Sequence, residues 1–252
     1  MKFKVFYLLP CYNEEQDITG LVKKFDNFYR YKKININLIF VDDGSTDQSI
    51  NIINNFKKKI RKIKIHIIKH KTNKGLGVAL KTGFNYILKK GKNNDVIVTM
   101  DTDNSHTIKL SMKMINEIRF KNKDIVIASR YCEKSKIFGL SIFRKFLSFG
   151  AAKLFQFFYP IKGVKDYTSG FRAFKLGTLK NIIKKYKNKF FSETGFSVTA
   201  DILIKTQKYK NMIKYYELPI NLRYDLKKGS SKMKIFETIY LNLKILLSRK
   251  FN

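Results

Sequence analysis

Short apolar runs and stretches of helical period alternate along the first half of this chain, and that alternation restricts the fold more than any other feature. KVFYLLP is followed by ITGLVKKFDNFY, INLIFVDD by SINIINNFKKKI, KIHIIKH by GVALKTGFNYILKK and DVIVTMD by IKLSMKMINEI, and a further run, DIVIASR, closes the series. Each short run has the length and apolar character of a buried strand, and each intervening stretch spaces its apolar residues for one face of a helix. Repeated β-α units of this kind imply a mostly parallel sheet covered by helices, an α/β architecture. Ligands of such sheets bind outside the carboxyl ends of the strands. The polar clusters CYNEE, DDGSTD, DTDNSH and SRY stand at those ends.

Composition sets the surrounding limits. A chain of 252 residues with 44% hydrophobic content can bury a real core. Only three prolines interrupt it, and there is no low-complexity linker, so a second autonomous domain is not indicated. Cys11 and Cys132 have no paired or metal-type spacing, which points to a reducing compartment. The N-terminal MKFKVFYLLP breaks at Pro10 into polar residues and reads as a first strand rather than a signal peptide. No stretch reaches the roughly 18 uncharged apolar residues of a spanning helix; the nearest, 146–160, is interrupted by Lys153.

The net charge of +33 has two readings. A basic surface attracts nucleic acid or anionic lipid, yet lysines spread along an Ile- and Asn-rich chain also fit a compositional bias of the genome. Acidic clusters at three of the strand ends argue against nucleic acid as a partner. Beyond residue 135 the pattern changes. FRKFLSFGAAKLFQFFYP carries aromatics on more than one helical face, and MKIFETIYLNLKILLSRK mixes apolar residues with lysines at amphipathic spacing. Each stretch is either a core helix or one lying in a membrane interface.

The pair Asp101 and Asp103 ends the run DVIVTM. Strand residues two apart point the same way, so both carboxylates are expected to enter one cleft. Two like charges so placed call for a cation, and a hard divalent ion, Mg²⁺ or Mn²⁺, suits carboxylates plus substrate phosphates; an N-cap or surface pair is the plainer alternative. Asp42 and Asp43 end the second run ahead of Gly44. A turn with a capped helix explains Gly44 to Asp47, whereas the two acids themselves suit ribose hydroxyls or base N–H groups. A dinucleotide-binding dehydrogenase is disfavoured, because the first turn, PCYNEE, has no G-x-G-x-x-G. NKGLGVALKTG reads as a close backbone approach opening a helix, or as simple N-terminal turn chemistry.

Taken together, LLPCYNEEQDI, IFVDDGSTDQS, NKGLGVALKTGF, MDTDNSHT, ASRY, DYTSGFRAF, GFSVTADILIKT and GSSKMK resemble, in order and spacing, the family 2 glycosyltransferases of the GT-A fold, most closely the polyprenyl (dolichyl) phosphate sugar synthases. The resemblance implies a Rossmann-like sheet with helices on both faces, residues 1–225 as one catalytic domain with an amphipathic interface or acceptor region at 135–162, and an acceptor loop and C-terminal amphipathic helix at 226–252. It implies that Pro10, Tyr12, Glu14, Asp42 and Asp43 hold the nucleoside of a sugar nucleotide, with Asp101, Thr102, Asp103 and Arg130 also on the donor. Asp101 and Asp103 would be the metal-binding D-x-D. Ser105 stands where many members carry Gln, so the implied metal shell is Asp101, Asp103 and Ser105 or a water in its place.

Arg130, Arg144 and Lys232 match cations facing the acceptor phosphate and donor diphosphate, and guanidinium forks suit phosphate oxygens; Ser169 falls in the acceptor cleft with Asp166, Gly170 and Arg172. A solvated charge is the plainer reading of Arg144, and a structural turn with a buried acid that of the Asp166 segment. Where the family usually has Arg three residues before the glycine of its last motif, this chain has Leu226, flanked by Lys227 and Lys228. His106 is expected to pack or hydrogen-bond at a helix start, and His66 and His70 to be structural. Glu193 and Asp201 read as surface or cap acids, with a place near the acceptor as the alternative.

The implied reaction is inverting transfer of a hexose from a GDP- or UDP-sugar to a polyprenyl phosphate, by a protein on the cytoplasmic face of a membrane, attached peripherally or through a small membrane-protein partner. The rival is a sibling enzyme that extends a cell-surface polysaccharide or glycolipid. That reaction needs a carboxylate base for a sugar hydroxyl, for which Asp201 or Asp166 would have to serve.

Overall fold

The computed structural model describes residues 3–29, 34–228 and 235–248. The expected β-α series is present as β1 (Lys4–Cys11), α1 (Glu15–Tyr29), β2 (Asn35–Asp42), α2 (Ser49–Lys59), β3 (Lys64–Lys69), α3 (Leu76–Lys90), β4 (Val96–Thr99), α4 (Ile108–Phe120) and β5 (Ile125–Ser129). The second half adds β6 (Lys136–Phe138), α5 (Ile142–Phe158), β7 (Arg172–Lys175), α6 (Leu176–Tyr186), α7 (Val198–Gln207), β8 (Tyr215–Pro219), β9 (Asn221–Arg223) and α8 (Ile235–Ser248). Seven strands form one sheet in the order β3-β2-β1-β4-β7-β5-β8, and β6 pairs with β9 apart from it. Among the described strands, β7 alone runs antiparallel to its neighbours, β4 and β5.

Alternation along the strands builds two cores. Val5, Tyr7 and Leu9 of β1 pack on one face with Leu38 and Phe40 of β2, against α1 and α4. Phe6 and Leu8 face the other way with Ile39 and Val41, against α3, α6 and α7. Residues of period two thus feed both faces, and burial on both sides explains why these strands read as nearly unbroken apolar runs.

The strand order reverses at β1. The chain winds outward through β2 and β3, then returns to place β4 on the other side of β1. A crevice is expected at such a switch point. Register lines up its rim: Cys11 lies opposite Asp42, Leu8 opposite Thr99, and the Asp43 N–H donates to the Cys11 carbonyl at 2.8 Å.

The NKGLG segment makes the close approach foreseen for it, and its partner is protein backbone. Gly77 N–H donates to Thr194 O at 2.6 Å, and a Cβ on Gly77 would lie 1.9 Å from Glu193 O. Gly75 adopts a φ of 89°, which disfavours any side chain. Gly77→Ala is therefore expected to destabilise the protein by at least about 2 kcal/mol, since a backbone oxygen cannot rotate away; differential scanning calorimetry measures this, and an unchanged Tm would contradict the close contact.

The aromatic stretch at 142–158 is a helix that the core barely uses. Only Ala152 and Phe155 of α5 are buried, while Phe146 and Phe157 are 74% and 79% exposed. In α8, Ile245 and Leu246 reach the core and Tyr240 and Leu247 do not. No described helix is long and apolar enough to cross a membrane.

Candidate active site

A cleft of about 590 Å³ opens over the carboxyl ends of β1, β2 and β4. Pro10 lines it from the end of β1, Tyr12 and Glu14 from the β1–α1 turn, and Asp43 from the end of β2. Asp101, Thr102 and Asp103 form its floor, and Thr102 Oγ1 donates to Pro10 O at 3.1 Å, tying the two turns together.

The two aspartates reach the cleft by a turn and not by strand alternation. β4 stops at Thr99, whose hydroxyl donates to Gly170 O at 2.7 Å, and Asn104 turns the loop with φ 61°. Its side chain fixes that conformation: Nδ2 donates to Asp17 O at 2.7 Å and to Asp17 Oδ1 at 3.1 Å, and Oδ1 accepts from Lys24 Nζ at 3.0 Å. Asn tolerates the left-handed region better than other side chains, which is why this residue type suits the corner.

The carboxylates differ in environment. The Asp101 side chain is 51% exposed to the cleft. Loss of surrounding water raises its carboxyl above the ordinary value, opposed by His106 and reinforced by Asp103. Asp103 is buried, and its Oδ1 accepts from Ser105 N at 3.1 Å and Ser105 Oγ at 2.6 Å. Its Oδ2 accepts from Lys227 Nζ at 2.9 Å. Burial opposes ionisation here, but Lys227 outweighs it and holds the carboxyl below its ordinary value.

Ser105 is buried with its hydroxyl spent on Asp103, so it supports that carboxylate and does not line the cleft. His106 packs as expected, stacking on Phe171 with ring centroids 4.6 Å apart. Its Nδ1 accepts the Asp101 N–H at 3.2 Å. Its Nε2 stands 4.0 Å from Asp101 Oδ2.

The acids at the end of β2 divide their work. Asp43 Oδ1 bonds His70 Nδ1 at 2.6 Å and accepts Lys74 N at 3.0 Å, while Oδ2 accepts Gly75 N at 2.8 Å. It thus organises the NKGLG turn from inside the cleft. Asp42 is fully buried behind it; Oδ1 accepts Ser45 N at 3.2 Å, and Oδ2 has no hydrogen-bond partner among the described residues. His70, expected to be structural, bridges Asp43 and Thr82, whose Oγ1 lies 2.9 Å from Nε2. A lone histidine at a strand end carries no signal of this kind in sequence.

On the opposite wall, Arg130 follows β5 and is clamped by Asp166. Nε donates to Oδ2 at 2.8 Å and Nη2 to Oδ1 at 2.7 Å, a bidentate pair. Nη1 donates to Ser148 Oγ of α5 at 3.0 Å, and Nη2 also donates to Thr168 Oγ1. Burial alone would lower the Arg130 guanidinium, but Asp166 raises it well above its ordinary value. Ser169 lines the cleft with its hydroxyl donated to Ala128 O at 2.8 Å. Arg172 lies beneath, fully buried on Thr199 O and Tyr167 O, and burial brings it down to about 10, still charged at neutral pH.

Arg144 lines the same cleft from the first turn of α5, which Ser141 caps by accepting the Arg144 N–H at 3.4 Å. Lys232 lies outside the described residues. Asp201 is a core acid rather than a surface or cap one: it is fully buried and takes Lys205 Nζ at 2.5 Å.

The acid pair fits a hard divalent cation. Its donor atoms are carboxylate oxygens, and one of them, Asp103 Oδ2, already holds a cationic group. Among the described residues no group of three or more His, Cys, Asp and Glu converges, so diphosphate oxygens and water would have to complete the shell, as is usual for Mg²⁺.

A mostly parallel sheet with an Asp-x-Asp loop at its switch point and a basic wall across the cleft is the arrangement of the GT-A class of glycosyltransferases. The family model described as Glycosyl transferase family 2 matches residues 7–183, and the chain belongs to that family. It is 30% identical over 238 residues to the dolichol-phosphate mannosyltransferase of Pyrococcus furiosus, covering 93% of this chain but 61% of the relative, so the chain spans less than two thirds of that protein's length. It is 28% identical over 249 residues to the UDP-N-acetylglucosamine–dolichyl-phosphate N-acetylglucosaminyltransferase of Methanococcus voltae, covering 94% of this chain and 93% of the relative. Among solved structures, glucosyl-3-phosphoglycerate synthase of Mycobacterium tuberculosis in complex with Mn²⁺, uridine diphosphate and glucosyl-3-phosphoglycerate superposes with a TM-score of 0.66 over 98% of this chain and 80% of that chain, at 16% identity. That likeness is one of fold.

Proposed function

We propose that the protein is an inverting glycosyltransferase that moves a hexose from a nucleotide diphosphate sugar to a polyprenyl phosphate. The observation that carries this reading is the make-up of the cleft. One continuous space is floored by Asp101 and Asp103 and walled on its far side by Leu140, Leu147 and Ala151 around α5 and by Ile239 of α8, with Arg130 and Arg144 along the same wall. A charged headgroup on an apolar tail matches both ends. Two relatives are named for dolichol-linked transfer, which supports the same acceptor class.

In this reading Pro10, Tyr12, Glu14 and Asp43 take the nucleoside, whereas Asp42, expected beside them, is fully buried, does not line the cleft and holds the following turn through Ser45 N–H. Asp101 and Asp103 hold Mg²⁺ or Mn²⁺, which when bound supplies Lewis-acid stabilisation of the departing diphosphate. Arg130 and Arg144, with Ser169 in the same cleft and Lys232 as the further cation of this proposal, draw two anions together that would otherwise repel. An oxygen of the acceptor phosphate attacks the anomeric carbon as the bond from that carbon to the diphosphate oxygen breaks on the opposite side. The acceptor oxygen is already ionised at neutral pH, so no base is required. Both acids available as a base for a sugar hydroxyl are engaged, Asp166 by Arg130 and Asp201 by Lys205, which disfavours the glycan-extending alternative.

Residues 1–225 are the catalytic domain in this proposal, and residues 226–252 supply the acceptor loop and a helix beside the lipid. The exposed aromatic face of α5, with Lys145 and Lys153 beside it, lies on an anionic membrane surface. Replacing Phe146 and Phe157 together by Ser is expected to weaken association with anionic liposomes about tenfold or more, since each buried Phe contributes about 1.5–3 kcal/mol. Co-sedimentation measures this, and unchanged binding would remove α5 from the membrane contact.

The activity is tested by offering labelled GDP- and UDP-hexoses with polyprenyl phosphate, in Mn²⁺ or in EDTA. Metal-dependent label in the lipid phase is the expected result. Hydrolysis of the donor without lipid labelling, across the panel, would overturn the acceptor.

A further inference from the structure

We infer that Lys227 is a resident counter-cation of the Asp-x-Asp loop, which a divalent ion displaces from Asp103 and which then turns to the incoming diphosphate. The inference rests on the reading that the metal binds at Asp101 and Asp103. Asp103 is buried with Oδ1 consumed by Ser105, so Oδ2 is the oxygen left for a cation, and Lys227 Nζ holds it at 2.9 Å. A buried carboxylate without a cation is costly, which explains why the chain supplies one. An ammonium and a divalent ion cannot share this oxygen, because they repel and the metal would need the approach that Nζ occupies.

The backbone around Lys227 is fastened to the same loop. Arg223 N–H donates to Ser105 O at 3.1 Å, and Lys228 N–H donates to Asp17 Oδ2 at 3.3 Å, the same Asp17 that anchors Asn104. The segment from Arg223 to Lys228 is thus a strap held at both ends, and Lys227 reaches inward from it. A lysine stem is flexible enough to leave Asp103 while the strap stays in place. Because Lys227 also lines the cleft, a diphosphate bound there offers it a new anion. Metal alone must evict a paired ammonium, whereas metal with nucleotide provides that ammonium with a partner. The two ligands are therefore bound cooperatively.

The test is a Mn²⁺ titration of the full chain, tracked by loss of the free-ion EPR signal, with and without UDP or GDP, for wild type, Lys227→Met, Lys228→Met and Asp103→Asn. Lys227→Met is expected to bind Mn²⁺ alone about tenfold more tightly than wild type, as removal of a contacting unit charge should produce. Its gain in Mn²⁺ affinity on adding nucleotide shrinks, Lys228→Met behaves as wild type, and Asp103→Asn loses the ion. Tightening is not a result that a damaged fold can imitate. Equal or weaker Mn²⁺ binding by Lys227→Met would overturn the exchange while leaving the metal site intact. Absence of Mn²⁺ binding in every variant, even with nucleotide, would overturn the metal reading and the exchange with it.

Discussion

Asp103→Ala is expected to lower sugar transfer by about 10³-fold or more, the scale of losing a centre that stabilises charge on a leaving group. The loss should fall on kcat, because the proposed nucleoside pocket around Asp43 is built from other turns. The fold should survive, since Lys227 lines the cleft on a flexible stem and its ammonium can turn to water there once Asp103 is gone. Initial rates at saturating donor over a range of Mn²⁺ concentrations, with a thermal melt in parallel, separate the two effects. A variant that keeps a tenth of the wild-type rate would remove Asp103 from the chemistry.

Asp166→Asn is expected to cost the protein about 3–5 kcal/mol, because it leaves the Arg130 guanidinium buried without its counter-charge. Asp166 accepts from Arg130 N, Nε and Nη2 and from the N–H groups of Thr168 and Ser169 at 2.7–3.2 Å, and it is fully buried. Tm should fall by about 10 °C for a chain of this size. Burial alone would raise the Asp166 carboxyl, but Arg130 outweighs it and holds the carboxyl below its ordinary value. Its contribution is therefore complete above the unfolded value near ~3.9 and is lost as pH falls through the lower folded value. Wild type should lose stability on that acid limb, and Asp166→Asn should show a shallower limb. Equal acid slopes would mean that the pair contributes nothing to folding.

The first half of the fold was legible because each strand and helix announced itself by local period. The strands β7 and β8 were not, since RAFK and YYELP are short and their partners lie far along the chain. No local pattern says that a returning segment will wedge between β4 and β5 in the opposite sense. The stretch at 142–158 was ambiguous for a different reason: aromatics on several faces specify a helix but not which face is buried, and only Ala152 and Phe155 turned out to be.

At the site, residue types were legible and their division of labour was not. Asp101 and Asp103 were foreseen as a pair in one cleft, but as strand neighbours with equal roles. The end of β4 at Thr99 and the left-handed Asn104 leave one carboxylate half in the cleft and bury the other. Asp201 looked like a surface or cap acid because nothing local marks its burial; its partner Lys205, one turn on, is buried with it. Lys227 was one of two adjacent lysines in a basic chain, and only the tertiary approach of the strap to Asp103 separates it from Lys228.

In the proposed reaction a lipid phosphate, and not a sugar hydroxyl, receives the hexose. The most direct measurement presents one labelled donor with equal amounts of polyprenyl phosphate, the corresponding polyprenol and an oligosaccharide, and identifies the labelled product by mass spectrometry. The expected product is a polyprenyl phosphate carrying one hexose on its phosphate, with the polyprenol and the oligosaccharide unlabelled. Label on the oligosaccharide, with polyprenyl phosphate untouched, would contradict it.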